Sequence, residues 1–337
     1  MIKDDKGWLL PCGLLLAMVA LDANAQFYTL TDLGSLVSAS YSVPHSLNEN
    51  SDVVGYSYAG TAAHAFLSTA SGMQDLGTLG GSVSYAYGTN DQDQVVGYST
   101  QGGAERAYIW SAATGMRAIG SLGGVNSYAR EINDAGVVTG YSQVSSGKYH
   151  AFIWAEAIGM HDLGSLGGAS SNSYATGING FGAVAGFSHI GGNAHAFIWD
   201  GIQGMRDLGT LGGTNSYGKA ISNTGRVVGY STVGDAEHAF IWSEASGMLD
   251  LGTLGGTNSY AKGVNDAGQV VGQSDTPATS HAFVWSQASG MLDLNSLTYG
   301  MDDWILEAGL GINGRGQIVA LGKNAKGRYH AVLLTPR

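Results

Sequence analysis

The chain has 337 residues, a formal net charge of −11, 54 glycines and a single cysteine. An acidic balance with no basic cluster argues against nucleic acid or an anionic membrane as a partner. One cysteine, Cys12, leaves no internal disulfide and excludes cysteine catalysis or thiolate metal sites downstream of it.

In chain order, Lys3 and Lys6 come first, ahead of an apolar run from Trp8 to Ala20 and then Ala23-Asn24-Ala25. This order predicts a secretory signal peptide over residues 1–25, with the exported chain starting near Gln26 in the periplasm or outside the cell. The apolar run is short for a membrane span, so no membrane insertion is expected. A lipoprotein signal at Cys12 is the alternative, but Pro11 and the lack of an apolar stretch before it weigh against that. Without Lys3, Lys6, Asp4, Asp5 and Asp22, 13 basic and 23 acidic side chains remain, a net charge of −10.

From Asp32 onward, one unit of about 43 residues recurs. Its clearest copy runs through Asp250-Leu251-Gly252-Thr253-Leu254-Gly255-Gly256, Ser259-Tyr260-Ala261, Asn265 to Gly272, His281-Ala282-Phe283-Val284-Trp285 and Gly290-Met291. The copies align on Asp32, Asp75, Ala118, Asp162, Asp207, Asp250 and Asp293, at steps of 43 to 45 residues. Such a period, with several short strands per unit, marks a radial β-array. A β-helix is the rival, though its coils are usually nearer half this length. Residues 26–337 are expected to form one domain, because no linker interrupts the repeat.

Four segments of each unit read as strands: Tyr260 to Asn265, Gln269 to Ser274, His281 to Ser286 and Met291 to Leu294. Asn265-Asp266-Ala267-Gly268 is a tight turn between the first two. Small residues such as Ala261, Gly263, Ala175 and Gly177 suit an innermost strand crowded around an axis. The chain opens at Phe27 to Gly34 on a fourth-strand pattern and closes at His330 to Leu334 on a third-strand pattern. That phase predicts an all-β, seven-bladed propeller with four antiparallel strands per blade, its last blade completed by the N-terminal strand.

The third strands carry His64, Arg106, His150, His195, His238, His281 and His330. The fourth strands beside them carry Asp75, Ala118, Asp162, Asp207, Asp250, Asp293 and, by wrapping round, Asp32. The unit that lacks the histidine also lacks the aspartate, so a buried His–Asp hydrogen bond in each of six blades is expected. Metal ligation would need a third ligand that no unit supplies at regular spacing, and no metal or cofactor is expected. Trp110, Trp154, Trp199, Trp242 and Trp285 recur beside Phe or Tyr in the third strand, a pattern of core packing more than of sugar binding.

These motifs together resemble the extracellular HAF-repeat family, named for the His-Ala-Phe seen at His64, His150, His195, His238 and His281. Arg106-Ala107-Tyr108 and His330-Ala331-Val332 depart from that motif, and the segment from Asp293 through Trp304 to Asn313 looks like an atypical last unit. The resemblance implies export from bacteria and carries no catalytic residues with it.

No nucleophile elbow, phosphate loop, zinc helix or calcium loop occurs in the sequence. Asp302, Asp303 and Glu307, near Tyr299 and Trp304, could imitate a glycosidase pair. The other candidate is the end of the ring where the fourth-to-first crossovers meet the second-to-third loops. It presents Tyr85, Asn126, Tyr128, Tyr174, Asn215, Tyr217, Asn258 and Tyr260, whose amides, hydroxyls and aromatic faces suit a glycan. The favoured reading of this segment, which occupies a structurally demanding crossover, is that the Asn and Ser form turns while the Tyr packs the inner strand. The loops Ser57–Ala63, Thr100–Glu105, Gln143–Tyr149, His189–Ala194, Thr232–Glu237 and Asp275–Ser280 should cluster there and set specificity. The sequence thus predicts a monomeric, non-catalytic binding or scaffold module for a glycan or protein ligand. A hydrolase or lyase acting on polysaccharide in an axial cleft is the alternative.

Overall fold

A computed structural model describes residues 26–38, 40–301 and 303–337, so the predicted signal peptide lies outside the described residues. Seven sheets are strung along the chain, six of them built from four consecutive antiparallel strands. Blades 1 to 6 span residues 42–75, 84–118, 123–162, 173–207, 216–250 and 259–293. Blade 6 is representative, with strands Ser259–Val264, Val270–Asp275, Ser280–Ser286 and Gly290–Asp293 from the axis outward. These limits lie within about one residue of the sequence reading.

Blade 7 takes three strands from the C-terminus, Trp304–Ile312, Ile318–Asn324 and Tyr329–Pro336, and its fourth from the N-terminus, Tyr28–Asp32. The closing pair is antiparallel, with Tyr28 opposite Pro336 and Asp32 opposite Val332. Two features exceed the four-strand expectation. A one-turn helix, Leu294–Leu297, is capped by the Asp293 side chain, and the short strand Thr298–Tyr299 adds to Tyr28–Thr29 in parallel.

Blades pack through both faces of the third strand. Phe66, Tyr108, Phe152, Phe197, Phe240 and Phe283 are wholly buried, and Trp110, Trp154, Trp242 and Trp285 nearly so. Each large ring meets Ala and Val of the neighbouring blade, as Phe283 and Trp285 do with Val228, Ala239 and Ile241. The recurring serine that opens each inner strand ties successive blades together. Ser84 Oγ accepts from Ala65 N of the preceding blade at 2.9 Å and donates to Gly77 O at 2.6 Å. Blade 7 has Leu306 in place of that serine, and Asn295 of the short helix bonds both its N–H and its carbonyl.

Glycine is demanded where inner strands run closest. A Cβ on Gly88 would lie 2.5 Å from Glu131 Oε1 and 2.8 Å from Glu131 Cα in the next blade. The second-to-third connections are much shorter than expected. The strands continue to Ala59↔Ala62, Gln101↔Ala104, Ile190↔Asn193 and Val233↔Ala236, leaving two-residue turns. Gly102-Gly103 and Gly191-Gly192 supply the consecutive positive φ angles that such turns require. The predicted variable loops are thus mostly strand, and that end of the ring is not loop-rich.

Candidate functional site: an aromatic and cationic axial funnel

The inner strands enclose a cavity of about 670 Å³ on the ring axis. Every inner strand has a register shift against its neighbour at an equivalent place: between Pro44 and Ser46, Ala86 and Gly88, Ala129 and Glu131, Ala175 and Gly177, Gly218 and Ala220, Ala261 and Gly263, and Gly309 and Gly311. A bulge leaves one residue outside the ladder and re-aims its side chain. The residues so released are His45, Tyr87, Arg130, Thr176, Lys219, Lys262 and Leu310, and all seven line the axial cavity. Below them Leu47, Thr89, Ile132, Ile178, Ile221, Val264 and Ile312 form a largely apolar constriction shared with a smaller basin at the other end.

Above the bulges runs a belt of rings. First-strand and second-strand aromatics alternate in the order Tyr56, Tyr85, Tyr98, Tyr128, Tyr141, Tyr174, Phe187, Tyr217, Tyr230 and Tyr260. Each centroid lies 4.8 to 5.0 Å from the next. The belt stops where Gln273 takes the second-strand place opposite Tyr260. Burial pushes the Tyr230 and Tyr260 phenols up to about 12, so both remain protonated hydrogen-bond donors at neutral pH.

Three cations enter this aromatic collar. The Arg130 guanidinium lies 4.0 Å from the Tyr87 ring centroid and donates to Tyr141 Oη at 2.6 Å. Lys219 Nζ lies 5.3 Å from the Tyr230 centroid and 5.8 Å from that of Phe187. Burial lowers the Lys219 ammonium to about 8, helped by repulsion from Lys262 and Arg130, and burial also lowers Lys262. Among the described residues, none of the three has a carboxylate within salt-bridge distance. His45 stacks on Tyr87 with centroids 4.2 Å apart, and its Nδ1 lies 2.8 Å from Ala86 O. Burial holds that imidazole down at about 4, so Nδ1–H donates to the carbonyl and Nε2 is left as an acceptor. The one acid on this wall, Glu131, is pushed up to about 8 by burial.

The eight residues singled out as ligand candidates divide in two. Tyr85, Tyr128, Tyr174, Tyr217 and Tyr260 all belong to the belt. Asn126, Asn215 and Asn258 are engaged in structure, their Oδ1 atoms accepting from Glu105 N, Ala194 N and Glu237 N at 2.9 to 3.1 Å. Those bonds join each second-to-third turn to the next crossover, so both features share one end of the ring. Tyr128 and Tyr260 also donate to Glu105 and Glu237 through their hydroxyls.

The six His–Asp pairs are hydrogen-bonded through Nδ1: His64–Asp75, His150–Asp162, His195–Asp207, His238–Asp250, His281–Asp293 and His330–Asp32, at 2.7 to 2.9 Å. Only the histidine half of each pair is largely buried, however, at 6 to 24% exposed. The aspartates are 27 to 41% exposed, because the fourth strand is the outer edge of its blade. The other carboxylate oxygen caps the following turn, as Asp250 Oδ1 does for Gly252 N at 2.7 Å. Blade 2 substitutes an Arg106 guanidinium bonded to Val125 O.

The acidic group of the last unit does not form a paired site. Asp302 lies outside the described residues and Asp303 is exposed. Glu307 sits on the innermost strand and accepts from Tyr329 Oη at 3.1 Å, whereas Tyr299 packs on Phe27 at the outer edge. No group of three or more His, Cys, Asp or Glu side chains is arranged to hold a metal among the described residues.

No family model matches the sequence, and no curated protein matches it. Solved structures that resemble it are propellers. The β-propeller domain of the Trilobed protease from Pyrococcus furiosus superposes with a TM-score of 0.55 at 10% identity, covering 92% of this chain and 97% of that one. Virginiamycin B lyase from Staphylococcus aureus gives 0.53 at 8%, covering 91% and 99%. A TolB-assigned protein from Agrobacterium tumefaciens gives 0.51 at 12%, covering 79% and 94%. At such identities the likeness defines the class, a β-propeller, and no more. The protease propeller is described as open, whereas here strand Tyr28–Asp32 completes the last blade. Among the described residues no helix is long and apolar enough to cross a membrane.

Proposed function

We propose that this chain is an exported, non-catalytic binding propeller of the HAF-repeat kind that holds a saccharide in its axial funnel. The observation that carries the reading is the aromatic wall of the funnel, where Tyr141, Tyr174 and Phe187 of the belt, together with Tyr87, line the cavity. Ring faces contact the apolar face of a sugar while phenol hydroxyls reach its hydroxyls, and a cavity of this size suits a chain end or a small saccharide. A glycan array probed with residues 26–337 tests it. Saturable binding that falls at least tenfold in Tyr141→Ala supports the reading, and the absence of any bound glycan overturns it.

One observation favours a catalytic alternative, an elimination reaction on polysaccharide. Lys219 is an amine with a pKa brought near neutrality inside the funnel, as a general base requires. Release of unsaturated ends from an acidic polysaccharide, lost in Lys219→Met, would establish this reading over simple binding.

A further inference from the structure

The net charge of the chain makes its axis anomalous. An acidic protein places Arg130, Lys219 and Lys262 at three of its seven bulge positions, all lining one cavity and all without a carboxylate partner among the described residues. Bringing like charges together away from water is costly unless a counter-charge arrives. Elsewhere the same chain pairs its cations on the rim, as Arg117 does with Glu156 and Arg206 with Glu244, both at 2.9 Å. The bulge position itself is not selected for positive charge, because Thr176 and Leu310 occupy it too. Nor does the fold need cations there, since the seven bulges form with any of these residues. The aromatic faces around Arg130 and Lys219 supply cation–π contact, which holds the cations in place and leaves their charge uncompensated.

We propose that the funnel binds the carboxylate of an acidic saccharide, the carboxylate lying among Arg130, Lys219 and Lys262 and the sugar ring against the tyrosine belt. This rests on the reading of the funnel as a saccharide site and adds the charge of the ligand. Arg130 offers a planar fork that matches a carboxylate, and the two lysines act as point charges. His45, neutral with Nε2 free to accept, suits a hydroxyl adjacent to the carboxylate. The apolar constriction at Ile132, Ile178 and Ile221 lies beneath the cations, so the acidic residue would be the terminal one.

Calorimetric titration of residues 26–337 with oligogalacturonate, its fully methyl-esterified form and inorganic phosphate tests the proposal. The acid form should bind at least tenfold more tightly than the ester, with affinity falling as salt rises. Lys219→Met combined with Lys262→Met should remove that tenfold preference, and Lys262→Arg should retain most of it, with a thermal melt verifying that each variant is folded. Equal binding of acid and ester would overturn the anionic ligand and leave the saccharide reading standing. No binding of either sugar form would overturn both. Phosphate bound as tightly as the acid sugar would also overturn the proposal, showing a site for anions in general.

Discussion

Asn313 Nδ2 donates to Asn48 O at 3.1 Å across 265 residues of sequence, joining blade 7 to blade 1 at the end opposite the funnel. It is one link of a circle. Asn48, Asn90, Asn133 and Asn179 each donate to the next blade's carbonyl, as does Asn265 to Asn313, all at 3.0 to 3.1 Å. The same side chain accepts an N–H of its own hairpin, as Asn313 does from Gln317 at 3.0 Å. Only Ser222 breaks the sequence, since its hydroxyl cannot reach across. The circle explains why an asparagine ends nearly every inner strand.

Asn133→Ala should therefore cost about 1–2 kcal/mol, because it removes the inter-blade bond to the Asn179 carbonyl and orphans the Ala135 and Val137 N–H groups of its own hairpin. Ser222→Asn should do the reverse and raise the melting temperature by completing the circle. Urea unfolding of both variants checks this, and equal stability of Asn133→Ala and wild type would refute it.

The closing strand is held by its ladder to Tyr329–Pro336 and by Tyr28, which is fully buried in the blade 7 core. Deleting residues 27–33 should expose the edge of that strand and produce oligomers or a much lower melting temperature. Light scattering reports the outcome, and a truncated monomer with an unchanged melt would contradict the closure.

The His–Asp pairs lie at the rim, so each should contribute only about 0.5 kcal/mol. A double-mutant cycle on His238→Gln and Asp250→Asn measures that coupling. Installing Arg106→His with Ala118→Asp should build the missing pair in blade 2 with a similar small gain. A coupling of several kcal/mol would mean the pairs are desolvated after all.

Glu131 makes stability depend on pH. Its folded-state carboxyl is raised from 4.5 to about 8, so between those values the folded chain keeps a proton that the unfolded chain has lost. Stability should fall as pH rises through this window and level off above it. Glu131→Gln should flatten this fall and be more stable at about pH 9 by on the order of 2 kcal/mol, discounted for partial exposure. Denaturation midpoints across the range test it, and parallel curves for variant and wild type would rule it out.

The architecture was legible because its determinants repeat. Phe66 and its five counterparts, the opening serines and the His–Asp pairs all recur in register, and the strand phase at the two ends fixed seven blades. The funnel was not legible for the converse reason. Searching for what recurs led to Asn126, Asn215 and Asn258, which turn out to hold the crossovers. The cations stand at the position that varies, His45, Tyr87, Arg130, Thr176, Lys219, Lys262 and Leu310. Reading that column down the seven units would have found them. The bulge that directs them inward leaves no mark in the alternation of apolar and polar residues.

That bulge has an evolutionary consequence. Because the bulged residue stands off the ladder, exchanging it leaves the strand register intact, and only the side-chain contacts it makes to the next blade, such as His45 to Ala86 O and Thr176 to Gly218 O, change with it. Each blade thus offers one letter facing the axis that can change without shifting the register, and the ring spells a seven-letter word. Single substitutions can re-spell the word. Proteins with this same barrel of repeats could then recognise unrelated ligands while their frameworks remain almost identical.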